Sequence, residues 1–105
     1  MEDGVSIGGN CHIDFSGGIV INKDAHIAHF VHISTHDHGY DYNSIPVGKK
    51  LIIRENAFIG SRVIIMHNCN YIGKDSVIGT GSLVTKDVPD YAVFAGNPAK
   101  VIKYK

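Results

Sequence analysis

Two histidines flanking a carboxylate, His36-Asp37-His38, are the residues of this chain best suited to chemistry. Imidazole, with an unperturbed pKa of about 6.5, is mostly neutral near neutral pH and can take a proton from a hydroxyl group. Residue type alone equally fits a polar loop base with no catalytic duty. His26, His29 and His32 recur at every third residue, a spacing that would suggest one face and a metal site on a helix. In the six-residue repeat described next they fall on largely separate faces, and no metal is expected. His12 and His67 read as surface or corner residues. Two cysteines, Cys11 and Cys69, do not make a disulfide framework and read as buried, inert thiols.

The elements that must position these groups come from a repeat. Aliphatic residues recur at Ile7 and Ile13, at Ile21, Ile27 and Ile33, at Ile53, Ile59 and Ile65, and at Ile72, Ile78 and Val84. The usual step is six residues, which is neither the 3.6 of a helix nor a run of alternation. Three short strands per coil sort these positions into three columns. Ile7, Ile27, Ile59 and Ile78 form one; Ile13, Ile33, Ile65 and Val84 the next; Ile21, Ile53 and Ile72 the third. The position four residues later is small or thin (Cys11, Ala25, Ala57 and Ser76 among others), as a tight corner requires. The expected fold is all-β, a triangular prism of about four to five coils in one domain, 1–105.

One interruption stands out. Ile33 to Ile53 is a step of twenty residues, so about 34–50 must leave the prism as an external loop, and the His36–His38 triplet lies at its base. The step from Ile65 to Ile72 is seven, which reads as a one-residue bulge at His67. Past Val84, Pro89 and Gly96-Asn97-Pro98 end the regular repeat, and about 89–105 forms a C-terminal cap over the upper edge. The lower end has little cover in Met1–Ser6.

Composition narrows the function classes. Ten basic and ten acidic residues cancel, which gives no electrostatic case for nucleic acid or an anionic membrane. MEDGVSIGGN has no apolar core of a leader peptide, and no run approaches a membrane span, so a cytoplasmic protein without membrane insertion is expected.

The repeats, the closing run IGTGSLVTKDVP…AGNPAKVIK and the loop opening STHDHGYDY together resemble the hexapeptide-repeat acyltransferases. Within them the loop looks like the sugar, maltose or galactoside and polysaccharide O-acetyltransferase branch. The resemblance implies a left-handed parallel β-helix and a homotrimer whose active sites lie at subunit interfaces. It also implies acetyl-CoA as co-substrate and direct transfer of acetyl to a sugar or glycan hydroxyl. In that branch the base lies five residues after the last aliphatic position before the loop. Counting from Ile33 gives His38, with His36 supporting it or, one register over, replacing it.

Similar enzymes use a polar residue near Asp14, one coil below the loop on the same face, to bind the acceptor or orient the base, and a solvated corner carboxylate fits that position equally. Asp37, Tyr40 and Asp41 are placed in the loop where they could contact acceptor hydroxyls. The coenzyme groove falls along the upper coils at Ser61, Gly79, Thr80, Thr85 and Lys86, with Lys100 and Lys103 for the nucleotide phosphates. Many relatives carry arginine at the last two positions, and lysine supplies charge there without a bidentate fork. Two other readings stay open: an N-acyltransferase for amino or nucleotide sugars, and a trimeric binding or structural domain without catalysis.

Overall fold

The computed structural model describes residues 1–37, 47–48 and 50–105. It is all-β, with strands of mostly two residues wound into the triangular coils of a left-handed parallel β-helix. The first face stacks β1 (Ser6–Ile7), β4 (His26–Ile27), β9 (Phe58–Ile59), β12 (Val77–Ile78) and β14 (Ala92–Gly96), all parallel. The second stacks β2 (His12–Ile13), β5 (His32–Ile33), β10 (Ile64–Ile65) and β13 (Leu83–Val84). The third stacks β3 (Ile19–Ile21), β8 (Leu51–Ile53) and β11 (Tyr71–Ile72). The pairing register sets Ile7 under Ile27, Ile13 under Ile33 and Ile21 under Ile53, so the three aliphatic columns are those expected from the repeat.

A two-residue strand sends one side chain in and one out. The inward residues Ile27, Ile33, Ile53, Ile59, Ile65, Ile72, Ile78 and Val84 are fully buried. Each buried isoleucine contributes roughly 1.5–3 kcal/mol before the chain's ordering entropy is subtracted. The small corner residues Ala25, Ala57, Ser76 and Ser82 are buried too; both serine hydroxyls donate within their own turns, and Ser82 Oγ also accepts the Gly96 N–H at 3.3 Å. Ser76 Oγ donates to Gly73 O at 2.7 Å, and Ser82 Oγ to Gly79 O at 2.6 Å. The lower end is packed less tightly: Val5, Cys11, Ile13 and Ile19 are half-buried and Ile7 is 37% exposed.

Call the corner between first and second faces the first edge, that between second and third the second edge, and that between third and first the third edge. At the first and third edges the chain turns through one left-handed residue, three after the aliphatic one. Asn10, Asp24, Asn56 and Asp75 fill this position (φ between 55° and 60°), and they are residues that tolerate it. Phe30, Arg62 and Tyr91 also occupy it at φ near 60°, with a strain of roughly 1–2 kcal/mol each for side chains of that bulk. The Arg62 guanidinium lies 4.7 Å over the Phe30 ring, a contact between neighbouring coils that offsets part of this strain.

The repeat runs further than Val84. Val88 bridges Ile72 in parallel, and Phe94 pairs with Ile78 and is fully buried, so the third and first columns each gain a member. The cover over the upper end is β15 (Ala99–Tyr104), which runs antiparallel to β14. Within the long interruption, β6 (His36–Asp37) pairs antiparallel with β7 (Val47–Gly48), forming a short hairpin base outside the prism.

Candidate active site

The interruption leaves from the second edge, and every irregular step of the coil falls there. Both other edges take six residues in each coil (Ile7 to Ile13, Ile27 to Ile33 and Ile59 to Ile65 at the first; Ile21 to Ile27 and Ile53 to Ile59 at the third). The second edge takes eight from Ile13 to Ile21, twenty from Ile33 to Ile53, seven from Ile65 to Ile72 and four from Val84 to Val88. Length variation of this kind is tolerated where chain leaves a packed element, and that is where loops carry function.

Asp14 and Thr35 build the floor of this edge. Asp14 Oδ1 accepts the Ser16 N–H at 3.0 Å and Oδ2 accepts the Thr35 N–H at 3.4 Å. Thr35, 2% exposed, donates its hydroxyl to Asp14 O at 2.8 Å and accepts the Gly17 N–H at 2.9 Å. The Asp14 carboxylate therefore shapes its own turn and the loop departure above it. His36 and Asp37 follow Thr35 directly, with their backbone in the hairpin base; His38, Tyr40 and Asp41 lie outside the described residues.

One coil higher, His67 and Asn68 sit at the tip of a turn closed by the Cys69 N–H donating to Met66 O at 3.0 Å. That closure is the one the regular corners use, so the extra residue of the seven-residue step is Asn70, between the turn and β11, and not His67 as the sequence suggested. The Asn70 N–H donates to Asp87 Oδ1 at 2.8 Å, and its side-chain amide to Lys50 O at 3.4 Å, which ties three coils together. Thr85 and Lys86 lie on this edge one coil above His67. Thr35, Asn70 and Asp87 were not singled out from the sequence. Their partners are 17 to 21 residues away, at distances set by the irregular steps themselves.

Ser61 and Thr80 lie instead on the first edge in consecutive coils, where the Gly81 N–H donates to Ser61 O at 2.9 Å. Of the two glycines beside Thr80, Gly79 packs against its own next coil, where an added Cβ would stand 3.1 Å from Ala95 Cβ. Gly81 has φ 76° and open space around it, so only there is backbone left bare to an incoming molecule. Lys100 and Lys103 project from β15, opposite Ala95 and Val93. The residues expected to hold coenzyme thus divide between two edges of one prism.

Other chemistry-bearing groups are accounted for locally. His12 stacks on His32 on the second face with ring centroids 4.7 Å apart, and His26 stacks on Phe58 on the first at 5.1 Å. Burial pushes the Cys69 thiol up to about 12, so it stays protonated at neutral pH. Away from the loop, the Tyr71 hydroxyl donates to Asp90 Oδ1 at 2.6 Å and lies 3.4 Å from Arg54, which pairs with Glu55 at 3.0 Å. The hydrogen bond to Asp90 raises the Tyr71 hydroxyl above its ordinary range, and the same bond holds the Asp90 carboxyl below its own.

No protein-family profile matches the chain. Individual proteins do. A galactoside O-acetyltransferase of Lactococcus lactis is 40% identical over 90 residues, covering 86% of this chain and 39% of the relative. A maltose O-acetyltransferase from Clostridium difficile superposes with a TM-score of 0.81 at 31% identity, over 95% of this chain and 66% of that one. The chain belongs to the hexapeptide-repeat acyltransferase family. Another member, the polySia-specific acetyltransferase NeuO, superposes with a TM-score of 0.77 at 34% identity, over 95% of this chain and 47% of that structure. This hexapeptide-repeat chain spans less than half the length of the galactoside relative it matches.

Proposed function

We propose that this protein transfers acetyl from acetyl-CoA to a hydroxyl of a sugar or glycan. The observation that carries the reading is that the histidine-bearing interruption, Thr85 and Lys86 all fall on the one edge where coil length varies. The galactoside and maltose O-acetyltransferases that this chain resembles support the same substrate class. A histidine of the loop, His38 by register and His36 as its neighbour, takes the proton as the acceptor hydroxyl attacks the thioester carbonyl. The tetrahedral intermediate collapses with cleavage of the C–S bond, and the imidazolium returns the proton to the departing thiolate. Asp14, Asp37 and Tyr40 serve the acceptor side; Ser61, Gly79, Thr80, Thr85, Lys86, Lys100 and Lys103 serve the coenzyme.

The working unit of this reading is a homotrimer. A flat prism face encloses nothing, and the coenzyme groups divide between the first and second edges. Three-fold closure sets the second edge of one copy against the first edge of the next, which joins the two halves into one cleft.

Thiol release from acetyl-CoA with a panel of galactosides, maltose, anionic glycans and amino sugars tests the reading. Turnover with hydroxyl acceptors supports it; turnover confined to amines makes the protein an N-acyltransferase. Binding of acetyl-CoA without turnover on any acceptor makes it a binding domain. Within an active protein, His38→Ala lowers kcat by about 10²–10⁴-fold with the fold intact. Full activity in both His38→Ala and His36→Ala removes the histidine base.

A further inference from the structure

The buried hydroxyl of Thr35 differs from the other buried hydroxyls of the prism. Ser76 and Ser82 donate to the carbonyl three residues back, inside their own turn, and Ser82 Oγ also accepts the Gly96 N–H of the coil above at 3.3 Å. Thr35 makes both its hydroxyl bonds to the coil beneath, donating to Asp14 O at 2.8 Å and accepting the Gly17 N–H at 2.9 Å. Its own N–H adds a third bond to Asp14 Oδ2 at 3.4 Å. The lower coil is shaped to receive it: the eight-residue step of Ile13–Ile21 forms a turn in which Gly18 N–H donates to Phe15 O at 2.8 Å and the Gly17 N–H is turned up toward Thr35. The residue after Thr35 is His36, whose backbone pairs with Gly48 across the hairpin base.

We infer that Thr35 is a positioning residue: the latch between its hydroxyl and the Asp14–Gly17 turn fixes the direction in which the histidine-bearing segment leaves the prism. The inference rests on the acetyltransferase reading, and it adds a residue that touches neither substrate. A buried threonine paired to two main-chain groups cannot rotate without breaking both bonds, so the chain beyond it starts from one orientation. A proton acceptor displaced by about 1 Å loses on the order of 10²-fold in rate. The latch needs the hydroxyl and not the methyl, which separates it from simple packing.

Thr35→Val keeps the shape and removes both hydroxyl bonds; Thr35→Ser keeps the hydroxyl. The expected result for Thr35→Val is a fall in kcat of about 10- to 100-fold, with KM for acetyl-CoA within about threefold of wild type. Amide hydrogen exchange at His36 and Gly48 should rise about tenfold, while the amides of Ile27 and Ile59 stay protected. Thr35→Ser should restore both readouts. Unchanged kcat in Thr35→Val overturns the inference. Faster exchange throughout the prism does so too, because it makes Thr35 a general stabiliser. If wild type transfers acetyl to no acceptor, the functional reading fails on its own account. The exchange at His36 and Gly48 still decides whether Thr35 sets the loop base.

Discussion

The first and third edges of the prism and its second edge solve the same problem by different means. At the regular edges the left-handed residue of each turn donates its N–H to a main-chain carbonyl one coil below. Phe30 donates to Gly9 O at 3.0 Å and Arg62 to His29 O at 3.0 Å; Asn56 donates to Lys23 O at 3.1 Å and Asp75 to Glu55 O at 2.9 Å. Side-chain identity hardly enters, and even Phe30 and Arg62 are accepted. At the second edge, among the described residues, main-chain bonds pair the chain entering the third face (Leu51 N–H to Gly18 O, Ile52 N–H to Asn70 O). The turns themselves are joined there through side chains: Thr35 to Asp14 and Gly17, and Asn70 to Lys50 and Asp87. A main-chain ladder demands a fixed step length. Ties made by side chains do not, so this edge can hold eight, twenty, seven and four residues in turn. Freedom of length is what allows a site to be placed there.

The contrast can be broken most forcefully from inside the prism. Ile59→Asp puts a charge at a fully buried position in the core that all three faces enclose, and the expected outcome is loss of the cooperative melting transition. A folded Ile59→Asp protein with unchanged Tm would mean the inward column is wrongly assigned. One glycine inserted between Ser61 and Arg62 comes next. It flips the inward and outward residues of the strand that follows, so a fall in Tm of more than about 10 °C is expected, or no folding. The same insertion between His67 and Asn68 enters the edge whose step length already varies from coil to coil, at a cost of about 1 kcal/mol or less. Equal losses for the two insertions would erase the distinction between edges.

Smaller effects sharpen the comparison at the third edge. Asp90 ties its turn to the coil below by accepting from the Tyr71 hydroxyl at 2.6 Å and from the Lys74 N–H at 2.8 Å. There the main-chain ladder runs alongside, with Tyr91 N–H donating to Lys74 O at 2.8 Å, so Asp90→Asn should cost only about 1 kcal/mol or less at this exposed position. Because the Tyr71 and Lys74 donors hold the Asp90 carboxyl below its ordinary range, its contribution is complete above the usual carboxylate pKa. It disappears as pH falls through the lowered value. Urea unfolding across pH 2 to 7 should therefore show a shallower acid limb, below about pH 4, in Asp90→Asn than in wild type. An unchanged acid limb would remove Asp90 from the ties. Smallest of all is Lys74→Ala, which keeps the backbone bond to Asp90 and should stay within about 0.5 kcal/mol of wild type by the same denaturation assay.

The three aliphatic columns were legible because a six-residue period fixes both strand direction and inward face, and Ile7, Ile27, Ile59 and Ile78 stack as that period requires. The coil through Val88 and Phe94 was missed because the four-residue step after Val84 and the intervening Pro89 hide a period that then returns at six. Asn10, Asp24, Asn56 and Asp75 carry a turn signal in their own chemistry; Phe30, Arg62 and Tyr91 do not, and only the main-chain ladder reveals why they turn there. At the candidate site, the histidine triplet and the departure point were readable from composition and the broken period. The pairing of Thr35 with Asp14 was not, since it depends on how an eight-residue step and a twenty-residue step meet in space.

The reversal at the upper end has a consequence for size. Each coil up to β14 presents a parallel edge on which an identical coil could be laid, so nothing in the repeat itself limits how many are stacked. By sending β15 back along β14, the chain replaces that edge with one of opposite direction, edged with Lys100 and Lys103. A neighbouring molecule offering its lowest coil would meet a strand running the wrong way and a row of like charges. Growth along the axis is thereby closed at this end by the chain itself, and the prism behaves as a ruler with one finished end rather than as a segment of a fibre.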